Sequence, residues 1–134
     1  MPAAAASPTL TDSHVHVIAP DETAYPLQPI SLSGPWYREA PCSAEELLVQ
    51  MDAAGVAGAI LVQPLGAYSY DNRYAADSAL RHPDRFTSVC CVEPDGPNPV
   101  GALTFWVRER GMRGVRLFAL AREGPSWLED PRTF

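Results

Sequence analysis

Two imidazoles two residues apart, with a carboxylate two residues before them, give this chain its clearest capacity for chemistry. They lie in Leu10-Thr11-Asp12-Ser13-His14-Val15-His16-Val17-Ile18, an apolar run near the N-terminus. In a β-strand, alternate side chains share a face. That spacing puts Asp12, His14 and His16 on one face, with Val15 and Val17 on the other. Two histidines at i and i+2 can converge on one divalent cation such as zinc. A strand that only packs and hydrogen-bonds its histidines would show the same pattern, so the elements around the motif have to decide.

Those elements alternate. A first strand is expected over 11–18, followed by a long proline-rich connection through Pro20, Pro26, Pro29, Pro35 and Pro41 that also carries Tyr25, Trp36 and Tyr37. Ser43-Ala44-Glu45-Glu46 reads as a capping box opening a helix over 44–54. Leu47, Leu48 and Met51 form its apolar face, and Gly55 is placed to end it in the left-handed conformation. Ala57–Gln63 is nearly all apolar, as in a parallel strand covered on both faces. A helix over 71–81 stops before His82-Pro83, because proline disfavours helical geometry in the residue before it. A third strand follows over 86–92. Asn98-Pro99 then opens a helix that runs to Arg110 and closes at Gly111, and a fourth strand spans 114–118.

Strand–helix alternation without adjacent hairpins predicts a parallel α/β sheet. No Gly-x-Gly-x-x-Gly follows the first strand, which disfavours a dinucleotide-binding sheet. The polar residues His14, His16, Gln63, Glu93 and Arg116 fall instead at strand C-terminal ends, where TIM barrels place their chemistry.

Composition bounds the function. The 134 residues are 46% hydrophobic and 19% charged, in the range of a folded domain. The net charge of −6 rests on ten arginines and no lysine. This acidity argues against a nucleic-acid partner or an anionic membrane surface. The longest apolar stretch falls well short of the ~20 residues that cross a bilayer. Residues 1–9 read as a frayed leader without a basic flank. Cys42, Cys90 and Cys91 form no disulfide framework, and the vicinal pair reads as buried strand thiols. A cytoplasmic location is the expectation.

Several stretches resemble the amidohydrolase superfamily, in the amidohydrolase-2 branch that includes 2-pyrone-4,6-dicarboxylate lactonases and aminocarboxymuconate-semialdehyde decarboxylases. They are Asp12-Ser13-His14-Val15-His16, Gly55-Val56 with Ile60-Leu61-Val62-Gln63, Tyr70-Asp71-Asn72, His82-Pro83-Asp84-Arg85-Phe86 and Gly111-Met112-Arg113-Gly114-Val115-Arg116, in the family's order. The chain is similar to the lactonases in its arginine pair, Arg116 and Arg122, and in Tyr37 of the first long loop. The resemblance implies that residues 10–134 form the N-terminal half of a (β/α)₈ barrel, with four parallel strands and three outer helices. A whole barrel takes about 250 residues. The later metal-binding histidines and the catalytic aspartate of the family come from strands five to eight.

What the resemblance implies for function is hydrolysis at a carbonyl centre, of lactone or amide type, in a small carboxylate-bearing substrate. His14 and His16 would be the catalytic or metal-holding groups, and Arg116, Arg122 and Tyr37 would grip carboxylates. A divalent metal, zinc above all, is implied by most of the family, and none by the lactonase branch. The fragment alone would be inactive. A metal-dependent decarboxylase is the second reading. A non-catalytic half-barrel that pairs into a homodimer through its open sheet edges is the third.

Overall fold

The computed structural model describes residues 9–30, 34–119 and 126–131. Its centre is one sheet of four parallel strands in the order β1-β2-β3-β4: β1 Leu10–Val15, β2 Val56–Val62, β3 Phe86–Cys91 and β4 Gly114–Arg116. Sequential order with parallel pairing requires a crossover after every strand. Five α-helical segments lie between the strands: α1 Trp36–Glu39, α2 Ala44–Ala54, α3 Leu65–Tyr68, α4 Arg73–Arg81 and α5 Pro99–Thr104. This is the four-stranded half-barrel that the alternation predicts, with β1 and β4 at the two edges.

The two faces of the sheet differ. Ala59 and Leu61 of β2 and Phe86 and Cys90 of β3 pack against Leu47 and Met51 of α2, and against Tyr74, Ala75 and Ala76 of α4. Residues at odd offsets from these take the opposite, inner face. Cα partners in a parallel pair share a face. The pairs Val15–Leu61, Val62–Val89 and Cys91–Arg116 therefore put His16, Val62, Val89, Cys91 and Arg116 on the inner side. The tight approach that a side chain at Gly114 would make to Val89 Cγ2, 3.2 Å, fits this assignment.

Several expected boundaries shift. β1 ends at Val15, not at residue 18, and Val17, Ile18 and Ala19 leave the sheet as a buried extended segment. β4 stops at Arg116. The segment expected as one helix from Pro99 to Arg110 is α-helical only to Thr104, then a π-helical turn at Phe105–Glu109. The helix expected over 71–81 is present as α4 and begins at Arg73, with the separate turn α3 preceding it. The expected three helices become five helical segments because short turns at Trp36–Glu39 and Leu65–Tyr68 carry no periodicity that a sequence pattern can register.

Capping follows the sequence closely. Ser43 Oγ accepts from Glu46 N–H at 3.1 Å, while Glu46 Oε2 accepts from Ser43 N–H at 2.8 Å. These bonds from Ser43 hold the Glu46 carboxyl below its ordinary range. Gly55 closes α2 at φ 69°. Ser43→Ala removes the cap and should cost about 1 kcal/mol. For a chain of this size that is a fall of roughly 3–5 °C in Tm by thermal melt.

Candidate functional site

His16 lies just past the end of β1. Its Nδ1 lies 2.8 Å from the Val62 carbonyl at the end of β2. A carbonyl only accepts, so Nδ1 carries the proton, and in the neutral ring Nε2 keeps its lone pair. Burial holds the imidazole below its usual pKa. The bond to Val62 opposes this, and His14 and the Arg116 guanidinium push the same way as burial. His16 is thus a neutral imidazole with one nitrogen fixed and the other available.

His14 is more exposed, and its ring meets that of His16 edge-on, centroids 5.0 Å apart. On the other side Trp36 stacks on His16 at 5.6 Å and 27°, and Tyr37 meets Trp36 edge-on at 5.9 Å. The loop after β1 therefore folds α1 back over the histidines. Apolar Trp36 finds at the imidazole a flat surface that a short helix can cover.

Asp12 departs from the expectation. The register slips between Asp12, opposite Ala59, and Val15, opposite Leu61. Three residues of β1 answer two of β2, so strict alternation does not run through the motif. The Asp12 carboxylate instead turns back on its own backbone, accepting from His14 N–H at 2.9 Å. Among the described residues no cluster of three or more His, Cys, Asp or Glu is arranged to hold a metal ion. The two imidazoles, with His16 Nε2 free, suit two positions of a tetrahedral zinc site and no more.

Arg116, the last residue of β4, lies beside Cys91 in the sheet, with its Cζ 4.1 Å from the Phe118 ring centroid. It has no carboxylate partner among the described residues. The cation is held on the inner face by an aromatic surface, in electrostatic range of His16. Arg122 lies outside the described residues. Tyr37 borders a cavity of about 290 Å³ together with Ile18, Glu22, Arg38, Ser43 and Glu46, and neither histidine lines it. The structure thus groups His14, His16 and Arg116, and sets Tyr37 one ring away through Trp36.

Two other polar residues at strand ends, Gln63 and Glu93, read differently in three dimensions. Gln63 is 1% exposed, and its Nε2 donates to the Ser69 and Asp71 carbonyls at 2.9 and 3.0 Å, so it braces the loop after β2. Glu93 borders a separate, largely apolar cavity of about 220 Å³ with Tyr70, Pro97 and Trp106. His82 ends α4 as the sequence suggests, beside Glu45 at 3.7 Å and edge-on to Phe86. Burial pushes the Cys91 thiol up to about 12, partly offset by Arg116, which leaves it a hydrophobic filler. Sequence reasoning passed over Trp36 as a site residue; only its position in an aromatic-rich loop signalled it. It also missed the scaffold role of Asn72, whose side chain makes three hydrogen bonds, two of them buried.

Solved structures share this fold. A protein described as a probable 2-pyrone-4,6-dicarboxylic acid hydrolase of Acinetobacter baumannii, with citric acid bound, matches at a TM-score of 0.60 and 20% identity, over 93% of this chain and 45% of its own. A 2,6-dihydroxybenzoate decarboxylase from Rhizobium matches at 0.64 and 19%, over 93% and 44%. A 5-carboxyvanillate decarboxylase of Novosphingobium aromaticivorans, with bound manganese, matches at 0.59 and 20%, over 84% and 42%. The chain thus spans under half the length of these relatives. No curated protein matches it. Among the described residues no helix is long and apolar enough to cross a membrane. The sequence pattern of one enzyme family matches this chain from residue 11 to residue 133: the chain belongs to the amidohydrolase family.

Proposed function

We propose that this half-barrel carries the carboxylate-binding and histidine-bearing side of a hydrolase acting on a carbonyl centre in a small polycarboxylate. The observation that carries the reading is Arg116, a cation on the inner face with no carboxylate partner among the described residues, on the same side as His16. A guanidinium fork matches a carboxylate with two parallel hydrogen bonds. Arg122 would supply a second fork and Tyr37 a hydroxyl.

His16 is held neutral with Nε2 unprotonated, so it can accept a hydrogen bond or ligate a metal, and Trp36 keeps water from one side of its ring. His14 would be its partner. A divalent metal bound there would polarise the carbonyl and acidify a water. With two imidazoles and no third ligand at the site among the described residues, this chain alone should lose zinc on dialysis: elemental analysis is expected to find well below one equivalent. Stoichiometric zinc after dialysis would show that further ligands exist.

Decarboxylation is the second reading, favoured by the two decarboxylases that share the fold. Titration calorimetry on the whole chain separates the two. The hydrolase reading expects 2-pyrone-4,6-dicarboxylate to bind more tightly than its dimethyl ester, with or without manganese. Tighter binding of a carboxylated phenol, dependent on manganese, would favour the decarboxylase. Self-association through the open edges of β1 and β4 is checked in the same samples by light scattering.

A further inference from the structure

The end of β2 presents a problem that a single side chain solves. In the parallel ladder, Ala59 N–H donates to the Arg85 carbonyl and Gln63 N–H to the Val89 carbonyl. The next rung would join the Gln63 carbonyl to Cys91 N–H, and the one after would join the residue-65 N–H to the Cys91 carbonyl. Neither forms. Pro64, at φ −78° and ψ 81°, makes an inverse γ-turn in which Leu65 N–H donates to Gln63 C=O at 3.0 Å. The chain then leaves the sheet in α3. Cys91 is left with a peptide N–H and C=O facing a strand that has gone, in a region closed to water.

Asn72 takes both places. Its Oδ1 accepts from Cys91 N–H at 2.7 Å, and its Nδ2 donates to the Cys91 carbonyl at 3.0 Å and to the Tyr70 carbonyl at 2.9 Å. Asn72 is fully buried, and although it stands at the N-terminus of α4 its side chain caps nothing. A carboxamide has the donor and acceptor of a peptide group in the same plane, and here it stands in for the missing rungs. Asparagine is short enough to reach from the loop and carries both groups. Aspartate would bring only acceptors to a carbonyl pair.

Cys91 has Asn72 on one side and Arg116 on the other, as its partner in β4. β4 is only three residues long and sits at the sheet edge, so the position of Arg116 depends on β3 staying in line to its last residue. We infer that Asn72 is a positioning residue for Arg116, acting as a surrogate peptide that extends the β2–β3 ladder to the level of the guanidinium. What Arg116 then grips rests on the function proposed above; its placement does not.

The test compares Asn72→Ala with Leu47→Ala, a core substitution on α2 that destabilises without removing any hydrogen bond to Cys91, in the whole chain. Amide exchange at Cys91, normalised to Leu61, should rise at least about tenfold in Asn72→Ala, against little relative change in Leu47→Ala. The Arg116 Nε resonance should shift only in Asn72→Ala. Binding of 2-pyrone-4,6-dicarboxylate should weaken about tenfold in that variant alone. Equal acceleration of all amides would overturn the surrogate-peptide role. An open Cys91 amide with an unmoved Arg116 resonance would overturn the positioning role. If the wild-type chain does not bind the dicarboxylate, the function proposed above fails, while exchange and the Arg116 resonance still decide this inference. Should Asn72→Ala not fold, Asn72→Asp keeps an acceptor for Cys91 N–H and loses the donor to Cys91 C=O. The Arg116 resonance must still move in it.

Discussion

Arg116→Ala is expected to weaken binding of a dicarboxylate by about 2–5 kcal/mol, the loss typical of one partner removed from a desolvated, charge-assisted contact. That corresponds to roughly 30-fold or more in Kd. The guanidinium lies against the Phe118 ring on the inner face and has no carboxylate partner among the described residues, the arrangement that a ligand carboxylate would use. The dimethyl ester of the same compound should lose far less, because it offers no anionic oxygens to the fork. Calorimetry on the matched pair reads the difference directly. Equal losses on both compounds would make Arg116 a structural cation, held by the aromatic ring alone. Arg116→Lys is a useful intermediate: it keeps the charge and loses the bidentate geometry, so part of the affinity should return.

Leu61→Ala should have the largest effect on stability, about 2–5 kcal/mol. Leu61 is 0% exposed, at the centre of β2, where the sheet meets the helices packed on its outer face. Its neighbours there are held from several directions: Tyr68 OH accepts from Ala19 N–H at 2.8 Å, and Tyr74 OH accepts from Ala44 N–H at 3.1 Å. With those rings tied to backbone, the site can collapse little around a smaller residue, and the cavity penalty stays high. Urea unfolding followed by circular dichroism measures the change, with an unchanged slope if the denatured state is unaffected. Ile60→Ala, one residue away on the half-open inner face, should cost clearly less. Similar losses at the two positions would mean that the inner face is as well packed as the outer one.

Much of the architecture is local, and is therefore written in the sequence. The Ser43–Glu46 box, the left-handed Gly55, the Asn98 cap with Pro99 behind it, and the apolar runs of β2 and β3 depend on neighbours within a few residues. Alternation of such elements leaves few topologies besides a parallel sheet. The placement of His14, His16 and Arg116 at or near strand ends was legible for the same reason, because spacing along the strands locates those ends.

The sequence could not reveal contacts between residues far apart along the chain. The register slip that takes Asp12 out of line with the histidines arises from pairing with β2, more than forty residues later. Trp36 covers His16 because a proline-rich loop without periodicity happens to fold back across the mouth. Gln63 looked like a site residue at a strand end, yet its amide is consumed by two carbonyls of the following loop. Asn72 looked like an ordinary helix start, and serves a strand nineteen residues downstream. Short-range hydrogen bonds and hydrophobic periodicity are encoded by spacing, so the sequence determined the elements and their order. Which buried polar group satisfies which backbone, and which ring shields which imidazole, depends on where the folded chain brings distant segments together; only the tertiary structure decided that.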